Sequence, residues 1–187
     1  MIEAPLITTT IVQGERAVSA DPATVFSTVL GSCVAVCLHD PVALVGGINH
    51  FLLPGEQAEG RNQLRTMERY GVYLMEVLIN DLMQIGARRE RLHAKIFGGA
   101  NMVRGLSNIG ADNADFARRF LRHEGIRIVA EDLGGTRARR VQFWPVSGRA
   151  RQICVAPGPK LAATEAAKAS AFPSAATSTG GDMELFS

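Results

Sequence analysis

Residues 28–38 read Thr-Val-Leu-Gly-Ser-Cys-Val-Ala-Val-Cys-Leu, and the turn-forming triplet His-Asp-Pro follows at 39–41. A run of branched aliphatic residues and cysteines with a turn signal directly after it predicts a buried β-strand. Residues 42–53 are predicted to form its partner in a first hairpin, in which the pair Gly46-Gly47 marks a bulge or a close backbone approach. Cys33 is therefore expected near the middle of a sheet.

Two helices and four more strands are predicted along the rest of the chain. Between residues 62 and 85, apolar residues recur at spacings of three and four, which is typical of one buried helix face. The members of this stripe are Met67, Gly71, Leu74, Met75, Leu78 and Leu82. A second helix is predicted from 110 to 124, with Ala117, Phe120 and Leu121 facing inward. Short strands are predicted at 91–97, 126–130, 139–145 and 150–155, the last two as arms of a hairpin. The pattern indicates the α/β (α+β) class with antiparallel pairings.

The chain is long enough for one globular domain with its own core. It has 187 residues, of which 47% are hydrophobic and 20% charged. Residues 159–187 are rich in Ala, Ser and Thr and poor in large aliphatic residues, so they are predicted to be a disordered tail. The folded domain is accordingly predicted to span residues 10–158.

The charge and the hydropathy of the chain argue against several classes of partner. A formal net charge of +2 gives no strong field for nucleic acid or for a membrane surface. The N-terminus does not resemble a signal peptide, and every apolar stretch is shorter than the about 20 residues that span a bilayer. We therefore expect a cytoplasmic protein that neither binds nucleic acid nor inserts into a membrane, with its cysteines as free thiols.

Cys33 is the cysteine best placed for chemistry. A catalytic cysteine needs access to its substrate, a base that takes its proton, and donors for the oxyanion that forms when a carbonyl is attacked. Gly31 permits a close approach of the substrate, and the backbone amides near Ser32 are candidate oxyanion donors. His50, on the predicted partner strand, is the candidate base. These residues favour a cysteine nucleophile but do not establish one by themselves.

The other cysteines and the glycine-rich segments favour simpler interpretations. In an extended strand Cys33 and Cys37 share a face but lie about 13 Å apart, too far to bind one zinc ion, so no metal site is predicted. Cys37 and Cys154 are interpreted as small buried residues. Residues 98–101 and 132–135 match no nucleotide-binding motif and are interpreted either as tight turns or as loops that frame a pocket at Cys33.

A basic cluster near the C-terminal end of the predicted domain leaves two readings open. Arg137, Arg139 and Arg140 are compatible with an acidic protein partner or, more simply, with a solvated strand face.

Five motifs occur in an order that resembles one known family. They are LGSCVAVCLHDP, GGINHFLLP, KIFGGANM, NIGADN and EDLGGTRARRVQFWPVSG. Over about residues 14–155 the chain resembles CheD, the family of chemoreceptor glutamine deamidases. The resemblance implies layered β-sheets flanked by helices, similar to the catalytic domain of the cytotoxic necrotising factor toxins. It also implies hydrolysis of specific glutamine side-chain amides on methyl-accepting chemotaxis receptors to glutamate, with release of ammonia and without a cofactor.

The resemblance further implies a catalytic Cys, His and Thr. By motif match the Cys is Cys33 and the His is His50, and the reaction passes through a thioester. The family Thr lies six residues before the cysteine, which is Ser27 in this chain, and Thr28 is expected on the opposite side of the strand. The hydroxyl kept at Ser27 is therefore predicted to orient His50.

Two alternatives to the deamidase remain open at this point. Some members of the family are implied to pair with a CheC-type chemotaxis phosphatase and regulate it, a role that does not need an active site. The same nucleophile is also suited to hydrolysing receptor glutamate methyl esters, because attack on an ester passes through a similar oxyanion.

Overall fold

The computed structural model of the chain describes residues 5–53, 61–101 and 109–155, and within 61–68 it describes the backbone only. Nine strands, two α-helices and one short 3-10 helix (Arg89–Arg91) lie in these ranges. The strands are β1 (Ile7–Thr10), β2 (Arg16–Ser19), β3 (Thr24–Leu30), β4 (Val34–Asp40), β5 (Val45–Phe51), β6 (His93–Gly98), β7 (Arg127–Leu133), β8 (Arg139–Trp144) and β9 (Arg149–Cys154). The helices are α1 (Arg61–Gln84) and α2 (Ile109–His123). The predicted tail lies outside the described residues.

The strands form two sheets. The first has the order β1-β3-β8-β9, and the second has the order β2-β5-β4-β6-β7. Most neighbours are antiparallel, whereas β1 pairs with β3 and β6 pairs with β7 in parallel. The predicted hairpins β4-β5 and β8-β9 are confirmed. The fold is therefore α+β, with layered sheets and two helices.

Strand β4 lies at the centre of the layers. Val34, Val36 and Leu38 point to the helices, where they pack in one core with residues of α1 and α2. Cys33, Ala35 and Cys37 point the other way, into a second core between the two sheets. A strand that is covered on both faces reads as a continuous apolar run, which explains the composition of this segment.

The prediction of one strand over residues 28–38 is wrong. The chain leaves the first sheet after Leu30, turns at 31–33, and enters the second sheet at Val34. Both halves are buried and apolar, so the composition of the run does not reveal that they belong to different sheets. This turn brings Cys33 into the space between the sheets.

The helix predictions are confirmed. Leu74, Met75, Leu78 and Leu82 of the predicted stripe are buried against the second sheet, whereas the side chain of Met67 lies outside the described residues. The glycine pair in β5 marks a close approach rather than a bulge, because the pairing with β4 is continuous there. A Cβ atom on Gly46 would lie only 2.4 Å from the carbonyl oxygen of Pro145. Among the helices described here, none is long and apolar enough to cross a membrane.

Candidate active site

A histidine and a threonine meet in the core between the two sheets. His50 lies on β5, directly across from Ala35 of β4, and its ring therefore faces the first sheet. Thr28 lies on β3 of the first sheet, between the inward-facing residues Phe26 and Leu30. The hydroxyl oxygen of Thr28 lies 2.8 Å from Nδ1 of His50. This contact joins the two sheets at one buried point.

A third group determines which nitrogen of His50 carries the proton. The Thr28 hydroxyl donates its hydrogen to the carbonyl oxygen of Ile11, at 2.7 Å. Because that hydrogen is already committed, the Thr28 oxygen acts as the acceptor for Nδ1 of His50. The Ile11 carbonyl oxygen, also an acceptor, lies 3.5 Å from the same Nδ1. Nδ1 is therefore protonated in neutral His50, and the lone pair lies on Nε2.

Cys33 lies on the same face as His50. It directly precedes β4, two residues before Ala35, the partner of His50 in the ladder. Two such diagonal neighbours lie about 7 Å apart at their Cα atoms, within reach of a histidine side chain. The Cys33 side chain is 1% exposed, and its sulfur lies 3.9 Å from Oε1 of Gln13, to which the thiol donates. The thiol thus lies on the face of the sheet that carries His50 and donates to the carboxamide of Gln13.

Hydrogen bonds on both sides of Ser32 hold the turn that carries Cys33. The Gly99 amide donates to the Cys33 carbonyl oxygen and the Ala100 amide donates to the Gly31 carbonyl oxygen, each at 2.8 Å. Gly98 makes this packing possible, because a Cβ atom there would lie 2.1 Å from the Cys33 carbonyl oxygen. Residues 98–101 therefore form a loop that supports the candidate nucleophile. This agrees with their interpretation as a loop beside Cys33 better than with that of a simple tight turn.

A buried arginine supports the other glycine-rich loop. Arg139 is the partner of Leu30 in the sheet and is turned inward, with 6% of its surface exposed. Its guanidinium donates to the carbonyl oxygen of Asp132 at 2.7 Å and also contacts the Asp132 carboxylate and the Gly134 carbonyl oxygen. Gly134 in turn donates to the carbonyl oxygen of Gly98 at 2.9 Å. The simpler reading of this arginine cluster, a solvated strand face, is wrong for Arg139 because its side chain links the two sheets.

The geometry corrects the prediction for Ser27. Ser27 pairs with Gln142 and Thr10 in the first sheet, and its side chain points to the face opposite Thr28. The hydroxyl that contacts His50 is that of Thr28, one residue further along β3. Because side chains alternate along β3, a difference of one residue decides which hydroxyl faces His50.

The remaining cysteines differ from each other. Cys37 is buried, and burial raises the pKa of its thiol well above the usual range, whereas nearby Lys95 lowers it to a smaller extent. Cys154 is exposed, so its interpretation as a buried residue is wrong. In the described ranges no group of three or more His, Cys, Asp or Glu side chains is placed to hold a metal ion.

Three residues of this site were missed by sequence reasoning. They are Thr28, Gln13 and Arg139. Thr28 had a detectable signal, since a hydroxyl between two large apolar residues on the inward face of a strand needs a partner. Gln13 and Arg139 lie in ordinary polar contexts, and only the packing of the two sheets brings them to Cys33 and its supporting loops.

The fold and the site define an α+β protein with a Cys-His-Thr cluster between two β-sheets. The chain belongs to the CheD family: the family model described as CheD chemotactic sensory transduction matches residues 52–152. A protein of Caulobacter sp. (strain K31), named probable chemoreceptor glutamine deamidase CheD, is 52% identical over 184 residues, covering 97% of this chain and 94% of that relative. A protein of the same name from Caulobacter vibrioides (strain NA1000 / CB15N) is 61% identical over 146 residues, covering 78% of this chain and 77% of the relative.

Among solved structures, Neisseria meningitidis protein NMB0706 matches with a TM-score of 0.44 and 10% identity, covering 70% of this chain and 63% of that one.

Proposed function

We propose that this protein is a protein-glutamine deamidase that hydrolyses glutamine side-chain amides of methyl-accepting chemotaxis receptors to glutamate and ammonia. The names of its relatives support the reaction and the class of substrate. The observation that carries the mechanism is the pair of hydrogen bonds at Thr28, which assigns the proton of His50 to Nδ1 and its lone pair to Nε2. A histidine in that tautomer is prepared to act as a base.

The first half of the reaction transfers the acyl group to the enzyme. The thiol proton of Cys33 passes to Nε2 of His50, and the thiolate attacks the carboxamide carbon of the receptor glutamine. The Thr28 oxygen stays hydrogen-bonded to Nδ1 and so holds the imidazolium in place. Backbone amides near Ser32 and Cys33 stabilise the oxyanion. The turn that carries them is held by hydrogen bonds from the amides of Gly99 and Ala100 to its carbonyl groups.

The second half of the reaction releases both products. His50 returns its proton to the amide nitrogen, the C–N bond breaks, and ammonia leaves with formation of a thioester. A water molecule then gives a proton to His50 and attacks the thioester, and the C–S bond breaks to give glutamate and the Cys33 thiol. Each step uses only groups of this chain and water.

Receptor fragments provide the direct test. The protein is incubated with cytoplasmic fragments of chemoreceptors from the same cell, and peptide mass spectrometry follows the change from the glutamine amide to the acid. We expect the change with wild type and with Cys154→Ala, which removes the exposed thiol on β9, and no change with Cys33→Ala. Identical spectra for wild type and Cys33→Ala would contradict the proposal.

The same experiment, made with methylated fragments, examines the ester as a second substrate. Loss of methanol without loss of ammonia would assign the chain to receptor demethylation instead. Amide hydrolysis needs the proton from His50 more than ester hydrolysis does, because ammonia leaves only when the nitrogen is protonated. Pairing with a CheC-type phosphatase stays a prediction from the family resemblance.

A further inference from the structure

The side chain of Gln13 covers the sulfur of Cys33. Oε1 of Gln13 lies 3.9 Å from that sulfur and accepts the hydrogen of the thiol. Gln13 is half-buried, lies in the segment between β1 and β2, and is 20 residues away from Cys33 along the chain. A carboxamide, a group that both donates and accepts hydrogen bonds, is thus held against the candidate nucleophile.

The backbone that carries Gln13 is fixed to the catalytic histidine. Val12 to Glu15 form a β-turn, closed by the Glu15 amide on the Val12 carbonyl oxygen at 3.0 Å. Gly14 has a φ of +88° at the third position, where a type II turn requires a glycine. The Gly14 amide donates to the carbonyl oxygen of His50 at 2.7 Å, and the His50 amide donates to that of Glu15 at 3.0 Å. The position of Gln13 relative to His50 is therefore set by two backbone hydrogen bonds.

We propose that Gln13 is a catalytic residue, the side-chain donor of the oxyanion hole, acting through its Nε2–H group together with the backbone amides near Cys33. The proposal rests on the proposed function, since it needs Cys33 as the nucleophile. It adds a side chain from the β1–β2 turn to the backbone donors proposed for the turn that carries Cys33.

The distance fits this role. A donor binds an oxyanion at about 3 Å, and because that oxygen belongs to the carbon bonded to sulfur, the donor itself lies about 4 Å from the sulfur. The amide of Gln13 already lies at that distance from Cys33. The orientation of the amide has to change: in the resting protein its oxygen faces the thiol, and in the reaction its nitrogen faces the oxyanion.

The chemistry of the reaction supplies the reason for that change. The Cys33 thiol offers a hydrogen, so the resting amide presents its oxygen. Once His50 has taken the proton, the sulfur and later the carbonyl oxygen carry negative charge, and the N–H group becomes the better partner. The last side-chain torsion of glutamine has a broad, roughly two-fold energy profile, so the amide of Gln13 reverses at little cost.

The burial of the sulfur indicates how the substrate enters. Cys33 is 1% exposed with Gln13 in its resting position, so the amide shifts aside when a receptor carboxamide arrives. The turn itself stays bonded to His50, which keeps the shifted amide close to the reacting carbon. A residue that only covered the sulfur would slow the reaction, whereas an oxyanion donor accelerates it.

Two rates measured on the same variants separate these roles. Deamidation of a receptor fragment passes through an oxyanion, whereas alkylation of Cys33 by iodoacetamide does not and reports only the thiolate and its accessibility. For Gln13→Ala and Gln13→Met we expect a fall in kcat of about 10²- to 10³-fold with little change in KM. The rate and pH profile of alkylation should be unchanged or faster. Val12→Ala, an exposed neighbour in the same turn, serves as the control and should keep both rates.

Three results would overturn the proposal. Unchanged or faster deamidation by Gln13→Ala would show that Gln13 only shields the sulfur of Cys33. A parallel fall in the rates of deamidation and alkylation would show that Gln13 acts only by maintaining the structure of the site. Conversion of Gln13 itself to glutamate in active wild-type protein, read in the tryptic peptide that ends at Arg16, would exclude an N–H donor there.

The controls keep this test apart from that of the proposed function. If wild type deamidates the fragment and Cys33→Ala does not, the proposed function stands whatever Gln13→Ala does. Gln13→Glu, which has the same shape but lacks the N–H group, should lose at least as much kcat as Gln13→Ala. Full activity of Gln13→Glu would overturn the assignment of the donor.

Discussion

The hydroxyl of Thr28 accepts a hydrogen bond from Nδ1 of His50 at 2.8 Å while donating its own hydrogen to the carbonyl oxygen of Ile11 at 2.7 Å. The two contacts together assign the tautomer of His50, and this assignment depends on the threonine being in the first sheet and the histidine in the second. The proposed chemistry is thus tied to the packing of one sheet on the other.

Replacing Thr28 is expected to slow catalysis more than it alters binding. In Thr28→Val the shape is nearly kept, but Nδ1 of His50 loses its nearer acceptor and retains the Ile11 carbonyl oxygen at 3.5 Å, so the base is held less firmly in one tautomer. We expect kcat for deamidation to fall about 10²-fold, with KM little changed. Ser27→Ala, on the opposite face of the same strand, is the matched control and should leave kcat near that of wild type. Equal losses in both variants would contradict the assignment to Thr28.

The three cysteines are expected to react differently with a thiol reagent. Cys154 is exposed and should label readily in the folded protein. Cys37 should stay protected in the folded protein, because burial both shields its thiol and raises its pKa. Cys33 should label as a thiolate below the free-cysteine pKa of about 8.5 if His50 takes its proton. Peptide mapping after labelling across a pH range measures all three, and the loss of one labelled peptide in Cys33→Ala identifies its signal. Labelling of Cys37 as fast as Cys154 would contradict the buried placement.

Arg139 should matter far more to stability than its neighbour Arg140. Arg139→Met removes a buried guanidinium and leaves the carbonyl groups of Asp132 and Gly134 without this donor, so we expect a loss of about 3 kcal/mol in the free energy of unfolding. Arg140 is exposed on the other face of β8, and Arg140→Met should change the free energy by less than about 0.5 kcal/mol. Urea unfolding of both variants measures the difference. Similar values for the two would show that the inward-facing contacts contribute nothing.

The carboxylate of Asp40 should make stability depend on pH in the acid range. Burial alone would raise its pKa, but hydrogen bonds from the amides of Ala43, Arg88 and Val42 and from the Arg91 guanidinium outweigh burial and hold the pKa well below its usual range. A lowered pKa in the folded state means that this stabilisation is complete above the unfolded-state value of about 3.9 and is lost as the pH falls below it.

Unfolding of wild type and Asp40→Asn across that range measures the effect. At neutral pH we expect the variant to be less stable by about 3 kcal/mol, because the Arg91 charge loses its partner. The difference should shrink below about pH 4, because the Asp40 carboxylate of the unfolded wild-type chain takes up a proton there while that of the folded protein stays ionised. A difference that stays constant down to the acid end would contradict the lowered pKa.

Much of the fold could be predicted from local patterns. The two helices were predicted because their apolar residues recur with the helical period. The hairpins β4-β5 and β8-β9 were predicted because turn residues separate two strand-like segments. The segment 28–38 was wrongly predicted as one strand. Its two halves have the same composition because both are buried, and composition does not report which sheet a strand joins.

The amino-acid sequence by itself determined the candidate nucleophile and base, because Cys33 and His50 lie in short motifs that resemble those of one family. Only the tertiary structure decided which other groups surround them. Thr28 reaches His50 across the gap between two sheets, and Gln13 reaches Cys33 from a turn fixed to the backbone of His50. Such contacts join residues that are far apart along the chain, and they depend on which face of a strand each side chain occupies. A shift of one residue, as between Ser27 and Thr28, moves a hydroxyl to the opposite face of the sheet.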